Sequence, residues 1–158
     1  MALISALGGA AIAAIVAVLL FVVEHRSTRS AQLREHFSAA LADVYRWAEV
    51  PYRVRRRTPG HEHEVVALIH SLQECLLMHE SWLQLESTQV HEAYVRLTST
   101  LRGQCAPVIQ QAWESDPLPP GAAMNLGETG GIDLAAAVDD YLASVRSHLA
   151  GYAWRIWR

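Results

Sequence analysis

An uncharged apolar run near the start of the chain restricts the possible folds more than any other feature. Residues 2–23 carry no charged side chain, and Ser5 is their only polar one. A helix rises about 1.5 Å per residue, so a run of this length reaches about 33 Å and exceeds the roughly 30 Å hydrocarbon core of a bilayer. We therefore predict one transmembrane anchor within residues 1–26 and a separate domain over 27–158.

A cleaved signal peptide is the alternative interpretation of this run. It would require a basic stretch before the apolar core and a small-x-small cleavage site after it. No Lys or Arg precedes the run, and residues 20–24, which end it, read Leu-Phe-Val-Val-Glu. A retained anchor is therefore favoured.

The charges beside the run indicate its orientation. Arg26, Arg29 and Arg34 follow it, whereas only the terminal amine precedes it. Because positively charged residues stay on the cytoplasmic side, we expect a single-pass plasma-membrane protein with its N-terminus outside and its C-terminal domain in the cytoplasm. The two cysteines show no disulfide framework, which agrees with a reducing compartment.

Four helices are predicted after the anchor, because apolar residues recur at spacings of three and four. Their expected bounds are about 30–49, 59–86, 88–114 and 133–157, with a long loop over 115–132. The predicted inward stripes are, in order, Leu33, Phe37, Leu41, Val44 and Ala48; Val65, Leu68, Leu72, Leu76, His79 and Leu83; Val90, Tyr94, Leu97, Leu101, Cys105, Val108 and Ala112; and Leu134, Val138, Tyr141, Val145, Leu149, Tyr152 and Ile156.

Local signals set the ends of these helices. Residues 51–59 are rich in Pro and Arg and indicate a turn-rich basic link. The Thr58 hydroxyl can cap a helix whose first position is Pro59, so the second helix is expected to start there. Asp133 should cap the fourth helix in the same way, and Gly103 and Pro107 should bend or break the third.

Short connections between the first three helices favour antiparallel neighbours. The predicted fold class is therefore all-α, with one N-terminal transmembrane helix followed by an up-down antiparallel four-helix bundle. In that order the fourth helix returns toward the bilayer, and its end carries Trp154, Arg155, Trp157 and Arg158. Trp and Arg suit the headgroup layer, so these four are the predicted membrane-interface residues. Alternatively, the indoles pack against the first bundle helix or a partner.

Cys75 and His79 are the candidate pair for binding a cofactor. They lie four residues apart on the inward face of the second helix, where a Cys–His pair could hold haem or zinc or form a reactive thiolate. The alternative is a small buried hydrophobe beside a hydrogen-bonded histidine. The sequence contains no Cys-x-x-Cys or His-Glu-x-x-His pattern, so we expect no metal, no cofactor and no catalytic residue.

Arg53, Arg55, Arg56 and Arg57 form a basic cluster within the predicted link. Such a cluster could bind phosphate or an acidic partner. Because stacking aromatic residues are lacking and the chain as a whole is acidic, we expect a protein partner and no nucleic acid. A solvated loop is the alternative.

Small residues recur every four positions in the apolar run, at Ser5, Gly9, Ala13 and Ala17. Such rows let two membrane helices approach closely and pack in lipid, so self-association is expected. The alternative is that an alanine-rich composition produces the row by chance.

These features support three functions in descending order. The first is a non-enzymatic, membrane-tethered helical adaptor or scaffold that self-associates or recruits a protein partner at the cytoplasmic membrane face. The second is a membrane-anchored sensor that binds a small ligand, haem or metal near Cys75 and His79. The third is a membrane-active effector whose C-terminal Trp and Arg residues perturb the bilayer.

Overall fold

The structure is a computed structural model, and it describes only part of the chain. The described residues are 24, 27–119, 122 and 131–154, with the side chains of 152–154 left aside. The predicted membrane span over 2–23 lies outside these residues. Within the described residues, no helix is long and apolar enough to cross a membrane.

Five helices account for all the regular secondary structure of the described residues, which confirms an all-helical bundle. The long helices α3 and α4 occupy the ranges 62–86 and 88–114, where the sequence predicts 59–86 and 88–114. The helices are α1 (residues 27–48), α2 (Val50–Arg55), α3 (Glu62–Glu86), α4 (Thr88–Glu114) and α5 (Ala135–Trp154).

Helix α2 corrects the prediction of a turn-rich link over 51–59. Pro51 lies in its first turn, where the missing N–H would have had no helical partner in any case. Val50, Pro51 and Val54 are buried. Six residues are too few for an independently stable helix, so this burial stabilises α2.

Helix α3 begins later than the Thr58 and Pro59 signal predicts. Gly60 has a φ of 86°, in the left-handed region that glycine adopts without strain, and it interrupts the chain before the helix. The first helical residue is Glu62, and His61 precedes it without a side-chain capping bond. The predicted cap of the last helix is present, since Asp133 Oδ1 accepts a hydrogen bond from Ala135 N at 3.0 Å.

The predicted break at Pro107 does not occur, because α4 continues from Thr88 to Glu114 with this proline inside it. Pro107 removes the amide that would bond the Gly103 carbonyl. Both residues are exposed, so water can reach that carbonyl and no buried polar group is left without a partner.

Within the larger compact unit, Ala39–Arg158, helix α4 contacts α2, α3 and α5. Helices α3 and α4 are joined by Ser87 alone and form an antiparallel hairpin. Helix α5 also runs antiparallel to α4, because Arg96 bonds Asp140 whereas Gln104 bonds the backbone of Asp133. The smaller unit, Met1–Ser38, contains the first part of α1.

The core of the larger unit contains two buried tyrosines, Tyr94 and Tyr141, whose ring centroids lie 5.9 Å apart. In the inward stripe predicted for α1, Leu33, Phe37 and Val44 are buried as predicted, but two positions need correction. Leu41 and Ala48 are only half-buried, whereas the neighbouring Ala40 and Trp47 are buried. The other large side chains that are fully buried in this unit are Leu76, Leu83, Leu97, Leu101, Val44, Val50, Val54 and Val90.

Candidate functional site

Arg57 fastens α2 to the C-terminal end of α4. Its Nη1 donates to the carbonyl oxygens of Val54 at 3.0 Å and Ala112 at 2.9 Å. Its Nη2 donates to the carbonyl oxygens of Trp113 at 3.2 Å and Ser115 at 2.8 Å. The guanidinium also lies over the Trp113 ring, 5.1 Å from the centroid. The last carbonyls of a helix have no partner within it, so Arg57 serves as the cap of α4.

Arg55 holds the chain that follows α4. Its Nη1 donates to the Asp116 carbonyl at 2.8 Å, and its own carbonyl accepts from Leu118 N at 2.8 Å. Two of the four arginines predicted to bind a partner, Arg55 and Arg57, are therefore engaged within the chain. This role depends on contacts more than fifty residues apart, which the sequence pattern does not reveal.

The surroundings of Arg53 and Arg56 differ from those of Arg55 and Arg57. Arg53 and Arg56 are both exposed, and neither side chain makes a hydrogen bond or ion pair with a residue that the structure describes. They line one groove of about 480 Å³ between α2 and the first turns of α3. We call this groove the arginine groove. Its lining residues are Glu49, Tyr52, Arg53, Arg56, Glu64, Val65 and Leu68.

His79 is fixed by a carboxylate from another helix. Its Nε2 lies 2.9 Å from Asp43 Oδ2, and both side chains are about nine-tenths buried. The other oxygen of Asp43 accepts a hydrogen bond from Arg46 Nη1 at 2.8 Å. Cys75, one turn before His79, is a half-buried free thiol. A hydrogen-bonded core histidine accounts for this geometry, because Asp43 supplies a partner for the buried Nε2 of His79.

Sequence reasoning missed Asp43, which lies on the buried side of α1. The corrected stripe of that helix would have placed it there, since Ala40, Val44 and Trp47 surround it in the helical pattern. Among the described residues, no group of three or more His, Cys, Asp or Glu side chains could hold a metal ion.

Two buried polar atoms have no hydrogen-bond partner within the described part of the chain. They are the hydroxyl of Tyr94 and the indole Nε1 of Trp47. Burial, with smaller contributions from Tyr141 and the Asp43 carboxylate, raises the pKa of Tyr94 above its ordinary range. The phenol is therefore neutral at physiological pH, and it is a potential donor rather than a base.

A second groove lies where α1, α3 and α4 meet, and its volume is about 540 Å³. We call it the tryptophan groove, after Trp47 and Trp113 in its wall. Arg102 lies on its rim. The side chain of Arg102 is exposed and makes no hydrogen bond or ion pair with a described residue. The lining residues are Trp47, Ile69, Gln73, Arg102, Ala106, Ile109, Gln110, Trp113 and Glu114.

The remaining predicted sites lie outside the described residues. They are the small-residue row of the span and the charged and aromatic groups of the tail, namely Ser5, Gly9, Ala13, Ala17, Arg155, Trp157 and Arg158. Trp154 is the last residue of α5, and its side chain is likewise outside the description.

Comparison with known proteins gives no relative from which a role could be transferred. No protein-family model, no curated protein sequence and no solved structure matches the chain. Function is therefore inferred from the residues and their geometry alone.

Proposed function

We propose that the protein is a membrane-tethered helical adaptor that binds a protein partner through the arginine groove. The observation that carries this proposal is that two of the four arginines are bonded within the chain, whereas the side chains of the other two are exposed. Arg55 and Arg57 fix α2 against the end of α4, and they thereby hold Arg53 and Arg56 in a defined, exposed position. Because the backbone that carries these two side chains is fixed by the fold, binding orders the side chains alone and costs less conformational entropy than ordering a mobile loop as well.

The signs of the charges in the arginine groove favour a protein over nucleic acid. Glu49 and Glu64 line it together with Arg53 and Arg56. A polyanion would meet two carboxylates beside the two guanidiniums, whereas a protein surface can present both signs in complementary positions. Val65 and Leu68 add apolar area, which suits the core of a protein interface.

The tether in this proposal is the apolar run over residues 2–23. We infer a transmembrane helix followed by an up-down bundle, with the N-terminus outside and the bundle at the cytoplasmic face. The row formed by Ser5, Gly9, Ala13 and Ala17 would let two spans pack closely, so that the adaptor presents its arginine grooves in pairs. No catalytic step or cofactor forms part of this function.

The test is photocrosslinking in the native cell with the full chain. The photoreactive residue p-benzoylphenylalanine replaces Tyr52, which lies in the arginine groove, so that both arginines stay intact. We expect a discrete crosslinked protein in the membrane fraction. The same probe with Arg53→Gln and Arg56→Gln should lose that product, because the charges that orient the partner are gone.

The matched control places the probe at Tyr45, an exposed tyrosine of α1 outside the arginine groove. It should give little of the same product. A product of equal yield at Tyr45, or one that survives Arg53→Gln with Arg56→Gln, contradicts the proposed binding surface.

A membrane-anchored sensor is the second candidate, and the tryptophan groove favours it. Its volume of about 540 Å³ falls within the roughly 300–1,000 Å³ of small-molecule sites. The lining of this groove includes neither Cys75 nor His79, so it is a different site from the one that the sequence predicts.

A further inference from the structure

We propose that the tryptophan groove binds a single-chain amphiphile with a carboxylate head. Arg102 would bind the carboxylate, and the apolar wall would bind the hydrocarbon chain. This inference goes beyond the adaptor function, since it assigns a small-molecule site that uses neither Arg53 nor Arg56. It gives the sensor candidate its chemical class of ligand, and it stands or falls separately from partner binding.

The wall of the groove is apolar over most of its length. Trp47, Ile69, Ala106, Ile109 and Trp113 contribute indole and aliphatic surface from three helices. Burying a hydrocarbon chain against such surface is favourable because it removes apolar area from water. The Trp113 indole is held in place by the Arg57 guanidinium over its ring, so part of this wall is formed in advance.

The backbone around the groove selects against an extended peptide. All three walls are helices, whose N–H and C=O groups are paired along their own axis away from the ends. An extended peptide laid in the groove would bury backbone groups without finding donors or acceptors for them. A hydrocarbon chain has no such groups to satisfy.

The charges at the two ends of the groove favour a ligand with one anionic group and determine at which end that group binds. The side chain of Arg102 is exposed and makes no hydrogen bond or ion pair with a described residue. Glu114, at the other end, accepts a hydrogen bond from Gln110 Nε2 at 3.0 Å. The two positions are separated along α4 by about 18 Å of helix rise. A carboxylate is thus attracted at Arg102 and repelled at Glu114, which orients the chain between them.

The head group is assigned as a carboxylate because of the geometry of arginine. A guanidinium donates two parallel hydrogen bonds to the two oxygens of a carboxylate. A neutral head of the same length would gain the apolar contacts but not this charged pair. The ratio of carboxylate to alcohol affinity therefore isolates the contribution of Arg102.

The experiment uses the full chain in phosphatidylcholine nanodiscs and a decanoate analogue that carries a diazirine on its chain. After irradiation, the labelled residues are located by peptide mass spectrometry. We expect the label on the lining of the tryptophan groove. Decanoate should compete about tenfold better than decanol, since a hydrogen bond to a charged group contributes about 1.5 kcal/mol or more.

Three variants decide the outcome. Arg102→Gln should bring the decanoate and decanol competition close together, and Ala106→Trp should remove the label by filling the groove. Arg146→Gln, which removes an exposed charge from α5, should behave as the wild type. If Ala106→Trp fails to fold, Arg102→Gln still decides, because an exposed residue is replaced.

The proposal is overturned by any one of three results. These are labelling confined to other parts of the chain, equal competition by decanoate and decanol in the wild type, and equal effects of Arg102→Gln and Arg146→Gln. Crosslinking at Tyr52 does not depend on this groove, so a negative result here leaves the adaptor proposal standing on its own test.

Discussion

Arg53 and Arg57 are four residues apart, yet their surroundings differ completely. The side chain of Arg57 donates to four backbone carbonyls, whereas the side chain of Arg53 is exposed and makes no hydrogen bond or ion pair with a described residue. The sequence places both in one basic cluster and cannot separate them, because the acceptors of Arg57 come mostly from the end of α4. For a single residue, the sequence predicts the charge of the side chain, but tertiary contacts determine which groups that side chain binds.

Apolar periodicity predicts the burial of single α3 residues well. Leu72 is 6% exposed and lies on the predicted inward stripe, whereas His70 lies on the opposite face and is exposed. Leu72→Ala should lower the free energy of unfolding by about 2–5 kcal/mol, since it leaves a cavity in the core. His70→Ala should change it by less than about 0.5 kcal/mol. Urea unfolding of the full chain, followed by circular dichroism, measures both, and equal effects would contradict the helical phase of α3.

The two cysteines should differ in reactivity. Burial raises the pKa of the Cys105 thiol to about 11, and the thiolate is the form that reacts. Cys105 is therefore protonated and inert at pH 8, and its alkylation should accelerate only as the pH rises toward 11. Cys75 is half-buried and should be alkylated first. Mass spectrometry after timed iodoacetamide treatment gives both rates, with urea-unfolded protein as the control. Rapid alkylation of Cys105 in the folded protein would show that it is not buried.

At the scale of the element, the long helices follow from the sequence and the short one does not. Helices α3 and α4 extend over 25 and 27 residues, so their apolar stripes repeat many times. Helix α2 has six residues and is stabilised by the burial of Val50 and Val54. Its existence depends on the packing of the whole unit, which a local pattern cannot report. The half-buried Leu41 and Ala48 show the same limit in α1, where the neighbouring Ala40 and Trp47 are buried in their place although Leu33, Phe37 and Val44 are buried as predicted.

Two glycines should respond in opposite directions to the same change. Gly103 lies inside α4, and a Cβ added there meets nothing within 4 Å. Gly103→Ala should raise the free energy of unfolding by about 0.4–1 kcal/mol, because alanine loses less backbone entropy in a helix. Gly60→Ala should lower it by about 1–2 kcal/mol, since φ is 86° there. Thermal unfolding of the full chain compares them, and a loss of stability in Gly103→Ala would contradict a regular helix at that position.

At the scale of the whole molecule, the candidate sites arise from elements that are distant in sequence. The tryptophan groove combines Trp47, Ile69 and Ile109, one from each of three helices. Each of these residues looks like an ordinary apolar helical position, so no local pattern marks them as a site. The positive charge of the arginine groove was partly predictable, because Arg53 and Arg56 belong to the cluster of four arginines in the sequence. The acidic members of this groove, Glu49 between α1 and α2 and Glu64 of α3, were not.

We propose that the bundle is tethered to the cytoplasmic face of the membrane, and cysteine accessibility in intact cells tests this proposal. Single cysteines are introduced by Ala2→Cys or Ser147→Cys into the full chain with Cys75→Ser and Cys105→Ala. Ser147 is exposed on α5, so a reagent can reach it. Intact cells are then treated with a membrane-impermeant maleimide, and lysed cells serve as the control for reactivity.

In intact cells, we expect labelling at position 2 and none at position 147. After lysis, we expect both positions to be labelled. Positive flanking charge at Arg26, Arg29 and Arg34 sets this direction. Labelling at position 147 with none at position 2 would contradict the orientation. Protection of both positions until lysis would contradict the membrane span itself, and with it the tethered adaptor.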